Sequence, residues 1–244
     1  MNGERMNDKR MNGEPMSETS MGSVAGLTWA NVVKDVQLEW RSRDVFNSML
    51  FFALLVVVIF SFAFDPTAEQ SREIVGGLIW VAFLFSTVTA LNQSWARELR
   101  NGVLDAYRVS PAPAEALFFG KCIGNFIFVS VLECLMAPLF VVFYNLTVLG
   151  PAWQIVLILV FGTWALVING TFFAVMSIRT RNRELMLPLL LLPISIPAIM
   201  SMVQATRAVL SGVSPGGHIK LLAGYCVVFT TACYMLFETV LNAE

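Results

Sequence analysis

Charge is what this sequence has least of. Only 14% of its 244 residues are Asp, Glu, Lys or Arg, while 57% are hydrophobic; a soluble domain carries about a quarter charged. So few ions cannot cover a water-soluble surface. With a mean hydropathy of +0.69, the chain reads as a polytopic membrane protein, because lipid does not solvate charge. The net charge of −1 gives no case for nucleic acid as a partner. Histidine occurs once, as His218, and the four cysteines (Cys122, Cys134, Cys226, Cys233) lie inside apolar runs with no C-x-x-C or C-x-x-C-H. This excludes the disulfide framework of a small secreted domain and reads as buried, reduced thiols. There is no G-x-x-x-x-G-K-[ST] and no H-E-x-x-H. No catalytic or metal-binding residue is therefore assigned, and uphill transport would need energy from another subunit.

Long apolar runs are what the sequence does have. Six are long enough to cross roughly 30 Å of hydrocarbon as helices: 46–64, 74–95, 117–149, 153–178, 185–210 and 221–240. The expected fold class is all-α integral membrane, with one six-helix transmembrane domain over 24–244. Ahead of it, residues 1–23 repeat methionine every fifth position and M-N-G-E twice. This polar stretch cannot bury a core and reads as a disordered extension with several alternative start methionines. From Thr28 to Asp44 the spacing of Trp29, Val32, Val33, Val36 and Trp40 predicts an amphipathic interfacial helix capped by Thr28.

Six spans put both termini on one side, and basic residues say which. Lys34, Arg41 and Arg43 precede the first span; Arg97, Arg100, Arg108 and Lys121 lie between the second and third; Arg179, Arg181 and Arg183 lie between the fourth and fifth. The intervening connections hold one cation, Arg72, and only Arg207 and Lys220 run against the trend. The positive-inside rule then predicts an N-in, C-in protein. The segment 96–116 becomes cytoplasmic: a short helix carrying Arg97, Glu98, Arg100 and Arg108, with Leu99 and Val103 on its apolar face, stopped by Pro111-x-Pro113. It is the expected docking element for a soluble ATPase, and charge reversal at Glu98 or Arg100 is expected to uncouple that ATPase without unfolding the bundle.

Three features inside the spans are candidates for a transport pathway. Glu133 stands midway along the third run, where a carboxylate costs several kcal/mol on insertion scales unless neutral, paired or facing a cavity. It reads either as a pathway residue or as a neutral acid bonded to a neighbouring helix. Pro193 and Pro197 each remove a backbone donor, predicting a kinked or re-entrant fifth span. His218, in the turn-rich S-P-G-G-H-I-K, is expected in an exposed loop, with haem ligation as its functional alternative. Asn145-Leu146-Thr147 matches a glycosylation sequon by chance.

Three motifs together resemble the CcmB family, the membrane subunit of the haem exporter in cytochrome c maturation. They are G-G-L-I-W-V-A-F-L-F at Gly76–Phe85; Glu98, Gly102 and Leu104 followed by Ser110-Pro111-x-Pro113 and Gly120-Lys121; and Leu192-Pro193-Ile194-Ser195-Ile196-Pro197. The resemblance spans most of Thr28–Val240. It implies an ABC-2-type permease fold in the bacterial inner membrane, working as a homodimer beside a CcmA-like ATPase, with CcmC-like and CcmD-like subunits and, indirectly, a haem chaperone. Haem would be cargo and ATP the partner's substrate; no resident cofactor is implied. An ABC-2 exporter of lipid, polysaccharide or drug, and a non-transporting scaffold for haem handling, are the alternatives.

Overall fold

A computed structural model describes residues 17–63, 69–103, 113–146, 148–177, 180 and 182–242. Among them are seven long helices: α1 (Ser17–Ser42), α2 (Asp44–Ala63), α3 (Glu69–Arg100), α4 (Ala114–Phe143), α5 (Ala152–Ser177), α6 (Arg183–Leu210) and α7 (Gly216–Asn242). The last six contain the membrane spans. Helices are the form such runs must take, since lipid offers no partner for an unpaired backbone group. α3 and α5 are central: about two-thirds of their spans is buried (67% and 61%), against 17–28% for the other four. α3 packs on α2, α4, α5 and α6; α5 packs on α3, α4, α6 and α7.

Several boundaries differ from those read in the sequence. α1 begins at Ser17, so 17–23 is helical where a disordered extension was expected, and Thr28 lies inside the helix instead of capping it. No proline interrupts Ser17–Ser42, so the polar turn can continue the helix that the apolar spacing starts. Residues 1–16 lie outside the described residues.

The third span ends at Phe143 instead of at 149. Asn145 adopts a left-handed conformation (φ 45°), and the Leu146 amide donates back to the Val141 carbonyl at 3.1 Å, the Schellman arrangement that stops a helix. α6 stops in the same way at Gly212 (φ 73°), with Val213 N–H donating to Ala208 O at 2.8 Å. α6 itself is one continuous helix through Pro188, Pro193 and Pro197, so the span is not re-entrant. His218 is not in a loop: α7 starts at Gly216 and places it in the first turn, half-buried.

α1 reverses the expected amphipathic orientation. Asn31, Val32, Asp35 and Glu39 are buried against the bundle, while Trp29 and Trp40 are 66% and 77% exposed. The polar stripe faces protein and the tryptophans face outward, where indole rings suit a membrane interface. α1 packs chiefly on α4. α4 has 30 residues, about 45 Å at 1.5 Å per residue, and so exceeds a hydrocarbon core of roughly 30 Å. Its first turns provide the surplus length that α1 covers.

Candidate functional site

At the end of the bundle where α4 begins and α7 ends, six charged side chains from α1, α3 and α4 lie together: Lys34, Asp35, Glu98 and Lys121 form one ion-pair cluster, and Arg97 and Glu39 pair beside it. Lys121 of α4 is 1% exposed and pairs with Asp35 Oδ2 at 2.7 Å and with Glu98. It also donates to Ser94 Oγ at 3.3 Å and lies 5.9 Å from the centre of the Trp95 ring, a cation–π distance. Lys34 donates to Glu98 Oε1 at 2.9 Å and lies 3.6 Å from Asp35. Arg97 donates to Glu39 Oε2 at 2.7 Å, while Glu39 Oε1 accepts the Phe46 amide at 2.9 Å. Glu39 thereby caps the start of α2 and anchors the end of α3. Three carboxylates meet three cations, which is how buried charge is tolerated.

Gly120 makes this contact possible, while Gly124 one turn on sits at ordinary contact distance. A Cβ on Gly120 would sit 2.6 Å from Asn31 Cβ and 3.3 Å from the Thr28 carbonyl, while one on Gly124 would meet Asp35 at 3.6 Å. Asn31 Nδ2 also donates to Ala116 O at 3.3 Å. Burial of the Lys34 ammonium acts to lower its pKa, but the Glu98 hydrogen bond and the charges of Asp35 and Glu98 outweigh this and raise it above the ordinary lysine value. A raised folded-state pKa means that this contribution to stability is complete below the ordinary lysine pKa. It is lost only as pH rises through the raised value.

α3 ends just beyond this network. Gly102 has φ +65° with open space around it, so glycine is required there by conformation and not by crowding. Arg100 is exposed and lines an open polar cleft with Asn92, Gln93, Asp44 and Glu184. Leu104 and Arg108 lie outside the described residues.

Deeper in the bundle, Glu133 is buried and accepts a short hydrogen bond from the Thr163 hydroxyl of α5. It lies ten residues before the end of α4, about 15 Å along the axis and hence at the depth of the hydrocarbon core. Thr163→Val would leave the carboxyl without that partner, and an orphaned buried polar group costs about 1–3 kcal/mol. The expected result is a lower unfolding temperature for Thr163→Val, with Glu133→Gln, which can still accept the bond, close to wild type. In α6, Pro193 and Pro197 flank Ile194, whose carbonyl accepts from Tyr225 OH at 2.9 Å. Tyr225 OH in turn accepts from Asn169 Nδ2 at 2.9 Å. The proline segment is thus tied to α5 and α7. Tyr225→Phe removes both bonds and should cost about 1–3 kcal/mol, read as a lower thermal midpoint in detergent.

A family model described as CcmB protein matches residues 27–240. The chain belongs to the CcmB family. Curated relatives named heme exporter protein B are similar to it, some along most of their length. That of Rhodobacter capsulatus is 30% identical over 191 residues, covering 78% of this chain and 87% of the relative. That of Paracoccus denitrificans is 29% identical over 195 residues, covering 80% and 88%. The Escherichia coli K12 relative matches at 26% over 99 residues, 41% of this chain and 45% of its own.

In this CcmB-family chain the residues singled out from sequence fall into separate places. Arg97 and Glu98 belong to the buried network, Arg100 and Gly102 lie at the exposed end of α3, and Glu133, the two prolines and His218 each stand apart. Glu98 is 3% exposed while Leu99 is 41% exposed, so Glu98, like Asp35 and Glu39 of α1, points inward. Sequence reasoning missed Lys34, Asp35, Glu39 and Lys121 as one constellation. The available signal was the four-residue spacing of Asp35 and Glu39 on one helix and of Gly120 and Gly124 on another, the small-residue pattern that lets helices approach.

Proposed function

We propose that this chain is the membrane permease subunit of an ATP-driven haem exporter serving cytochrome c maturation. The match to the CcmB family over 27–240 carries this reading, and relatives named heme exporter protein B support it. In this reading the chain lies in the bacterial inner membrane with both termini in the cytoplasm, as a homodimer. It works with a CcmA-like ATPase and with CcmC-like and CcmD-like subunits. The ATPase docks on the end of the bundle that bears the charged network and the 96–116 segment. Arg100, exposed beside Gly102, is the contact residue, and the network beneath it passes movement of that segment to α1 and α4. Affinity purification of the tagged chain from its native membrane tests the assembly. A nucleotide-hydrolysing subunit should be recovered with it and be lost in Arg100→Glu; recovery of the chain with no ATPase would remove the coupling assignment.

A further inference from the structure

The half of the bundle away from the charged cluster holds a cavity of about 140 Å³ between α3, α4, α5 and α6. Its inner wall includes Trp80, Phe83, Glu133, Phe140 and Ile158. The polar groups there are already engaged with protein: Glu133 accepts from Thr163, and Trp80 Nε1 donates to Thr206 Oγ1 at 2.9 Å. What faces the space is carbon. A cavity of about 150 Å³ lined in this way in a soluble protein stays dry and takes up benzene. This one is not sealed, because Ala137 and Val141, one turn apart on α4, line it and are also exposed on the outer surface of that helix. Val148, beyond the end of α4, is exposed at the same rim.

We propose that this cavity binds a short segment of one acyl chain of a membrane phospholipid, entering sideways past Ala137 and Val141. The mouth opens within the span of α4, at a depth where the surrounding solvent is hydrocarbon, so the medium itself supplies a ligand that matches the wall. The wall is almost wholly apolar, which does not favour ordered water, and it offers no cation for an anionic headgroup. The occupant is therefore the tail of the lipid, with the headgroup remaining in the interface. The site is independent of the cargo: nothing in its wall distinguishes a haem exporter from any other permease.

The test uses the full chain in nanodiscs whose phospholipid includes a trace species with a diazirine in its acyl chain. After irradiation, peptide mass spectrometry locates the adducts. Labelling is expected on Glu133, Phe140 and Ile158, all buried, as well as on the exposed Val156 and Val160 of α5. Ala137→Phe should narrow the mouth, removing most adducts from the three buried positions while leaving Val156 and Val160 labelled as before. Val141→Trp closes the same mouth from the next turn and serves if Ala137→Phe does not assemble. Adducts confined to exposed residues in the wild type, or undiminished labelling of the buried three in the closing variant, would overturn the proposal.

Discussion

Lys121→Met should release α1 from the bundle. Methionine fills the same apolar path through the helix pair but leaves Asp35 and Glu98 facing one another, with Lys34 as the remaining nearby cation. Breaking a buried ion pair from one side costs about 3–5 kcal/mol, because the surviving charge is stranded. The loss should appear as a lower unfolding midpoint in detergent and as faster hydrogen exchange over 24–42 than over α5. Neutralising one stranded acid in the double variant Lys121→Met, Asp35→Asn, which keeps the Lys34–Glu98 pair, should recover most of the stability, since the penalty lies in the unpaired charge more than in the missing attraction. A wild-type midpoint in Lys121→Met alone would mean that the network contributes little to docking α1.

The same geometry separates two variants that look equivalent in the sequence. Glu98→Lys would place a third cation between Lys34 and Lys121, so it is expected to destabilise the α1–α3–α4 joint as well as any coupling. Arg100→Glu changes an exposed residue at the end of α3 and leaves the network intact. Only Arg100→Glu is a clean probe of coupling: its unfolding midpoint should match wild type while ATPase association falls.

Gly120→Val is the second large effect. Even the first added carbon would lie 2.6 Å from Asn31 Cβ, well inside contact distance, and the branched side chain adds two methyls. Forcing extra carbon into a packed contact costs about 1–3 kcal/mol. Here the strain falls on the α1–α4 interface that the ion pairs also hold, so proteolysis within α1 should accelerate. Gly124→Ala supplies the control. Its added carbon would meet Asp35 at 3.6 Å, an ordinary contact, and it should leave proteolysis unchanged while Gly120→Val does not.

The six spans were legible because lipid imposes a simple demand: long apolar runs closed on their own hydrogen bonds. Their ends were less legible. The run to Leu149 hid the stop at Asn145, although asparagine is a residue that enters the left-handed conformation readily. The run beginning at Leu221 hid the start of α7 at Gly216, because helical turns outside the apolar stretch carry no hydropathy signal. The inward face of α1 was misread for a physical reason. In water an amphipathic helix turns its apolar stripe to the protein, but beside lipid the apolar stripe has an equally good neighbour outside. The ionic stripe must then find partners within the protein. Those partners, Glu98 for Lys34 and Lys121 for Asp35, lie 64 and 86 positions away in sequence, and no local pattern pairs them. Glu133 was legible as an anomaly in the third run; its bond to Thr163 was not.

Deleting the gene in its own host and staining membrane proteins for covalently attached haem tests the central claim most directly. A permease subunit of the haem exporter predicts that c-type cytochromes lose their attached haem while non-covalent b-type haem persists, that the wild-type gene restores the c-type signal, and that Arg100→Glu restores it poorly. Normal covalent haem in the deletion strain would contradict the account.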